Sequence, residues 1–169
     1  MAAFQELDWR RLDVLAIAAW RGVATVAEDQ RGDCLAWLDQ EGYAIESFNG
    51  AGGVEQLAAD LGRRMHWQQR FGYTLTGRRN LDALRDGFEF EIPAEGGLVF
   101  ELVRPDIAWR DEPRWLLGLL VIAQEFSLHQ LALGRRFFTL LVLPQDSPLI
   151  GQRIETTTIP SPFRLTNDK

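Results

Sequence analysis

Four stretches of this chain carry apolar residues in the short continuous or alternating runs that strands use. They are Val23–Ala27, residues 43–48, Gly97–Val103 and Phe137–Leu143. The last two are apolar almost throughout, as suits strands covered on both faces. Between these runs the spacing becomes helical. Residues 29–41 place Cys34, Leu35, Trp37 and Leu38 at helical intervals before Gly42, a C-terminal stop. Residues 54–65 set Val54, Leu57, Ala58 and Leu61 on one face, and the glycine-rich run from Asn49 to Gly53 just before them reads as a strand-to-helix turn. Residues 113–133 predict a long helix with Trp115, Leu116, Leu119 and Leu120 in the core, a break near Ser127 and an end at Gly134. Strand and helix alternate, which predicts an α/β domain around a small, mostly parallel sheet with right-handed crossovers. An apolar run over residues 12–19 precedes the first strand. Residues 67–79 read as an irregular connection, and the Thr- and Pro-rich chain after Gly151 as a loosely packed tail.

One helical segment breaks the pattern of an ordinary core helix. From Asn80 to about Phe90, Leu81, Leu84 and Phe88 fall on one face at about 100° per residue, while Asp82, Arg85, Asp86 and Glu89 share an adjoining one. Asn80 is placed to cap the first turn, where Asp82 also meets the positive end of the helix dipole. Asp82 and Asp86 are one turn apart, a like-charge pairing that costs an isolated helix about 0.2–0.5 kcal/mol. Arg85 is most simply an i,i+3 partner of Asp82, worth little on a surface. Fold stability supplies no reason for two stacked acids; a positively charged partner does.

The 169 residues suffice for a single domain with a core, and 46% hydrophobic against 25% charged residues argues against disorder. A net charge of −6 disfavours bare nucleic acid as a ligand, because phosphate contacts need a basic surface. Cys34 is the one cysteine, so an internal disulfide is excluded; with only His66 and His129 beside it, a Cys/His zinc site cannot be assembled. The first six residues lack a secretory signal's pattern and no apolar stretch reads as long enough to span a bilayer, so the expectation is a cytoplasmic protein without membrane association. Neither histidine has a nucleophile in a recognisable context, the glycines at 50–53 lack a phosphate loop's lysine and spacing, and an exposed carboxylate pair has no burial to split its pKa values. No enzyme, cofactor or metal site is expected.

The run Asn80-Leu81-Asp82-Ala83-Leu84-Arg85-Asp86, set among these strands and helices, resembles the binding helix of the barstar family of intracellular ribonuclease inhibitors. The order of elements over residues 43–145 is similar to that family's core. Residues 1–42, with Trp9, the Val23–Ala27 strand and the Leu35-to-Tyr43 region, resemble the N-terminal extension of a longer, actinobacterial-type branch, and residues 146–169 form a tail. The resemblance implies one domain with a three-layer barstar-like fold, enlarged by an N-terminal strand and helix. The family's aromatic-aromatic-Gly segment before the helix has two placements here. Phe71-Gly72-Tyr73 fits if residues 74–79 are an insertion, and this also sets Trp67 where the family has an aromatic; the other placement uses Gly77 and loses the preceding aromatic. The first is preferred. Arg85 stands where the family's best-known member has tryptophan.

Function follows as an expectation of that resemblance. Asp82 and Asp86 would imitate substrate phosphates in a basic ribonuclease site, with Glu89 as outer electrostatic support. Phe71 and Tyr73 would be flat contacts from the loop, although packing within the loop explains them equally well. Asn80, chiefly a cap, and Arg85 complete the expected partner-binding set. The partner would be a basic protein, a ribonuclease toxin, that this chain meets as a monomer and neutralises as an immunity protein of a bacterial toxin–antitoxin pair. The alternative is a non-inhibitory interaction module of the same fold that binds another cytosolic protein.

Overall fold

The computed structural model describes residues 11–164. The amino-terminal residues that bear on secretion, and Trp9, lie outside that range. A helical segment, α1, begins as Leu12–Val14 and widens into a π-helix over Leu15–Ala19. Strand β1 (Val23–Ala27) leads through a 3-10 turn, Glu28–Gln30, into α2 (Arg31–Gln40). Then follow β2 (Tyr43–Asn49), α3 (Gly53–Arg64), α4 (Trp67–Phe71), α5 (Leu81–Gly87), β3 (Gly97–Val103), α6 (Pro105–Asp111), α7 (Pro113–Ala132) and β4 (Phe137–Leu143). A small antiparallel pair, β5 (Arg153–Ile154) and β6 (Thr157–Thr158), comes last.

The four long strands form one parallel sheet in the order β1-β4-β3-β2. Val23 lies opposite Thr139, Leu98 opposite Phe137 and Tyr43 opposite Gly97. Strands β3 and β4 fill the middle, and their near-continuous apolar sequence meets cover on both sides. On one face Leu12, Ile17, Cys34 and Leu38 from α1 and α2 pack on Val99, Phe138 and Leu140. On the other, Val54, Leu57 and Leu61 of α3 join Ala108 of α6 and Trp115, Leu116 and Leu119 of α7 over Leu98, Phe100, Leu102 and Phe137. The result is helix, sheet, helix: a three-layer α/β fold.

Three carboxylates are buried among the described residues and all are paired, Asp106 by two hydrogen bonds from Arg104 at 3.0 and 3.1 Å. Glu101, fully buried on β3, accepts two hydrogen bonds from Arg31 at 2.8 and 2.9 Å. Burial, aided by the Glu101 charge, pushes the neighbouring Cys34 thiol up to about 12, so it stays an inert core group. Asp13 takes bonds from Arg11 (3.1 and 3.0 Å), the Tyr43 hydroxyl (2.8 Å) and the Val14 amide (2.9 Å). Burial alone would raise the Asp13 carboxyl, but these hydrogen bonds and the Arg11 charge outweigh it and hold it below the ordinary range.

All four expected strands form, and the differences lie elsewhere. The connection after α3 contains α4, one turn of helix closed by Gly72 in the left-handed conformation. Helix α6 starts at Pro105, directly after β3, where no helix was expected. Helix α7 runs unbroken through Ser127, whose hydroxyl is occupied by donating to the Phe137 carbonyl at 2.6 Å. By length and hydropathy α7 would match a membrane span, yet its apolar residues supply the core named above. The segment after β4 is not loose. Leu149, Ile154 and Ile159 are buried, and Phe163 bridges in parallel to Val26, donating its amide to the Thr25 carbonyl at 2.8 Å. This segment covers the outer edge of β1.

Candidate functional site

The surface that the sequence singles out is built on α5 and the chain leading into it. Leu84 anchors the helix in the core with no exposure. Leu81 seats against α7 at Gly118, where even a methyl group would come within 2.7 Å of Leu81 Cδ1. At the far end Gly87 lies under the rings of Trp67 and Phe71, which a Cβ there would approach to 2.6 and 2.9 Å. Small residues at both contact points let α5 lie close on its neighbours.

Asp82 and Asp86 therefore face outward from a fixed helix. Both are exposed, and neither engages in an ion pair or side-chain hydrogen bond among the described residues. Arg85 lies between them but does not pair with Asp82; its Nε donates to Glu125 Oε2 of α7 at 2.9 Å. The arginine is drawn sideways because α7 presents a carboxylate across the helix contact, leaving the two aspartates unneutralised.

Two expected roles change. Asn80 is not a side-chain cap: its backbone is left-handed (φ 68°), its side chain makes no capping bond, and it serves the helix through its carbonyl, which accepts the Leu84 amide at 2.7 Å. A capping side chain needs an extended backbone at that position, and this turn forbids it. Glu89 is not on the helical face, because α5 ends at Gly87, Phe88 turns extended, and Phe88 and Phe90 are both buried. It instead meets Arg70 of α4 at 3.2 Å. The same arginine donates to the Gly87 carbonyl at 3.1 Å and lies 5.0 Å over the Phe71 ring, tying α4 to the end of α5.

The loop aromatics are packed and displayed at once. Phe71 lies 4.3 Å from Trp67 between ring centroids, and Tyr73 lies 6.0 Å from it, yet each keeps 39% of its surface exposed. Beyond Tyr73 the loop is pinned rather than free. The Gly77 amide donates to Glu55 Oε2 (3.1 Å), and Arg78 reaches Glu55 (3.8 Å) and Asp111 (3.5 Å). Asp111 also accepts the Val54 amide at the start of α3 (3.1 Å), so α3, α6 and the loop share one junction. Sequence reasoning placed Trp67 as a family-position aromatic without its packing role and missed Gly87 and Gly118 as organisers of this surface; glycines inside helical runs were the available signal.

Among the described residues no group of three or more His, Cys, Asp or Glu side chains is placed to hold a metal ion. The arrangement can present fixed negative charge beside exposed aromatic surface, which is binding chemistry. No family model, curated protein or solved structure matches this chain.

Proposed function

We propose that this chain is a barstar-like inhibitor or immunity protein that binds the basic active site of a toxic ribonuclease in the cytosol of the cell that makes it. The observation that carries the reading is the unpaired Asp82–Asp86 turn, held rigid by Leu84 and Gly118 while Arg85 is diverted to Glu125. Carboxylates on a fixed helix attract a phosphate-binding site over long range and meet its cations without first being reorganised. Phe71 and Tyr73 supply the flat apolar contact that charge alone does not.

This reading expects a ribonuclease toxin encoded beside this chain, and the test is association with that enzyme, measured by stopped flow at low and high salt. Asp82→Asn with Asp86→Asn is expected to slow association about tenfold or more at low ionic strength and to flatten the salt dependence. Unchanged affinity at low salt would refute the charge-mimic mechanism. The second reading, a non-inhibitory module, draws on the Arg85–Glu125 pair, which makes the face mixed in sign rather than purely acidic. It predicts a partner that binds the same helix and keeps full catalytic activity.

A further inference from the structure

Arg85 has two carboxylates to choose between, and the structure shows it on one of them. Its Nε donates to Glu125 Oε2 of α7 at 2.9 Å, while Asp82, three residues back on α5, is its neighbour on the same helix surface. An acid one turn before a base is a pairing that helices favour, so Asp82 competes for this guanidinium. The pair with Glu125 borders a small cleft of ≈ 190 Å³ whose other walls are Phe88, Ile122, Phe126 and His129. The apolar part of that wall takes water from one side of the pair and strengthens it relative to Asp82, which faces solvent. Arg85 and Glu125 still keep 50% and 48% of their side chains exposed, so the preference is narrow. A pair of this kind adds little to the stability of the fold. Its effect lies in where it puts the positive charge.

We infer that Glu125 is a positioning residue for the acidic face: it holds Arg85 aside, and without it the guanidinium folds back onto Asp82 and neutralises that face from within. Arg85 is then a built-in competitor for the cations of a partner, and Glu125 is the contact that sets the competitor apart. The inference rests on the binding role of α5 given above and adds to it the means by which the surface is kept free. Asp82 and Asp86 have no ion pair among the described residues and stand one turn apart, so a guanidinium on Asp82 weakens the field at both. Moving a unit charge in water from about 8 Å to about 4 Å changes the local concentration of a monovalent cation about twofold. Because the preference for Glu125 is narrow, losing that one carboxylate is enough to reverse it.

The test is a double-variant cycle on the free protein, with Glu125→Gln, Arg85→Gln and the two combined, all at exposed positions. At low salt a cationic nitroxide and a neutral one each relax the amides of residues 81–87, and the ratio of the two enhancements reads the local potential. Fixed charges add. If Arg85 stays in place, its removal changes the logarithm of that ratio equally with and without Glu125. The expected result is that Arg85→Gln raises the ratio at Asp82 about twofold more in the Glu125→Gln background than in the wild type. Equal increments in both backgrounds, from folded spectra, would overturn the inference. Stopped-flow association with the ribonuclease is a separate arm. Faster association of the combined variant than of Glu125→Gln, beside a non-additive cycle, supports both ideas. A non-additive cycle with no ribonuclease bound by any of the proteins removes the proposed function and leaves the positioning role of Glu125 standing.

Discussion

Gly118→Ala tests whether α5 is held by the geometry described. In the middle of α7, alanine is favoured over glycine by about 1 kcal/mol of helix propensity, so a free surface position would be stabilised by that amount. Here the new methyl would lie 2.7 Å from Leu81 Cδ1 and 2.9 Å from Cδ2, where ordinary contact begins near 3.4 Å. Leu81 must retreat by roughly 0.7 Å or turn out of its seat, and overpacking of this kind costs about 1–3 kcal/mol. Because Leu81 is only partly buried and its tip is flexible, the lower half of that range applies. The net expectation is a change in stability between zero and a loss of about 1 kcal/mol, with α5 displaced outward. Urea denaturation reads the first quantity, and amide hydrogen exchange across residues 81–87 the second. Stabilisation by the full 1 kcal/mol with α5 exchange unchanged would refute the claim that Gly118 seats the acidic helix. Partner association should fall in step with the displacement, although neither aspartate has been touched.

Arg31→Ala leaves the fully buried Glu101 without its two hydrogen bonds and should cost about 3 kcal/mol, the low end of the range for broken buried pairs because Arg31 is itself partly exposed; a urea midpoint unmoved relative to wild type would show that water satisfies the carboxylate. Asp13 has a folded pKa below its unfolded value, so its contribution is complete above the unfolded value near 3.8 and is lost as pH falls through the lower folded one. Thermal melts from pH 7 to pH 2 should therefore fall less steeply below pH 4 for Asp13→Asn than for wild type, from a lower starting point. Ile159→Ala removes a buried side chain from the segment beyond β4 and should cost about 2–5 kcal/mol by chemical denaturation, against about 0.5 kcal/mol or less if that segment were loose.

The sheet and its covering helices were legible because β3 and β4 are apolar at nearly every position, Glu101 and Thr139 being the exceptions, and burial on both faces explains that. The helices of α3 and α7 were legible from spacing for the same reason. What escaped was governed by contacts between distant residues. Asn80 carries the residue type of a cap, but the backbone turn that feeds α5 gives it φ > 0, and no local pattern announces this. Glu89 follows the helical spacing of Asp86, yet the demand to bury Phe88 and Phe90 ends the helix first. Arg85 looked like the partner of Asp82 within one helix and found Glu125, forty positions away, instead. The tail read as loose because Thr and Pro dominate it, while three widely spaced apolar residues, Leu149, Ile154 and Ile159, do its packing. The acidic pair itself was legible from sequence alone, since stacked like charges have no local rationale.

The place of β1 in the sheet has a consequence for how the chain is made. Strand β1 finds its partner only in β4, Val23 opposite Thr139, and its outer edge is met only later in the chain, where Phe163 bridges to Val26. During synthesis β1 leaves the ribosome first and pairs last, so a largely apolar strand with both edges open must wait while nearly the whole domain is translated. Sheets assembled from such distant pairings fold slowly and expose sticky edges meanwhile. The α1 and α2 segments on either side can shelter its face in that interval, but not its edges. Newly made chains should lean on chaperones until the end of β4 emerges, and a ribosome stalled before Phe137 should yield an aggregating product rather than a smaller stable domain.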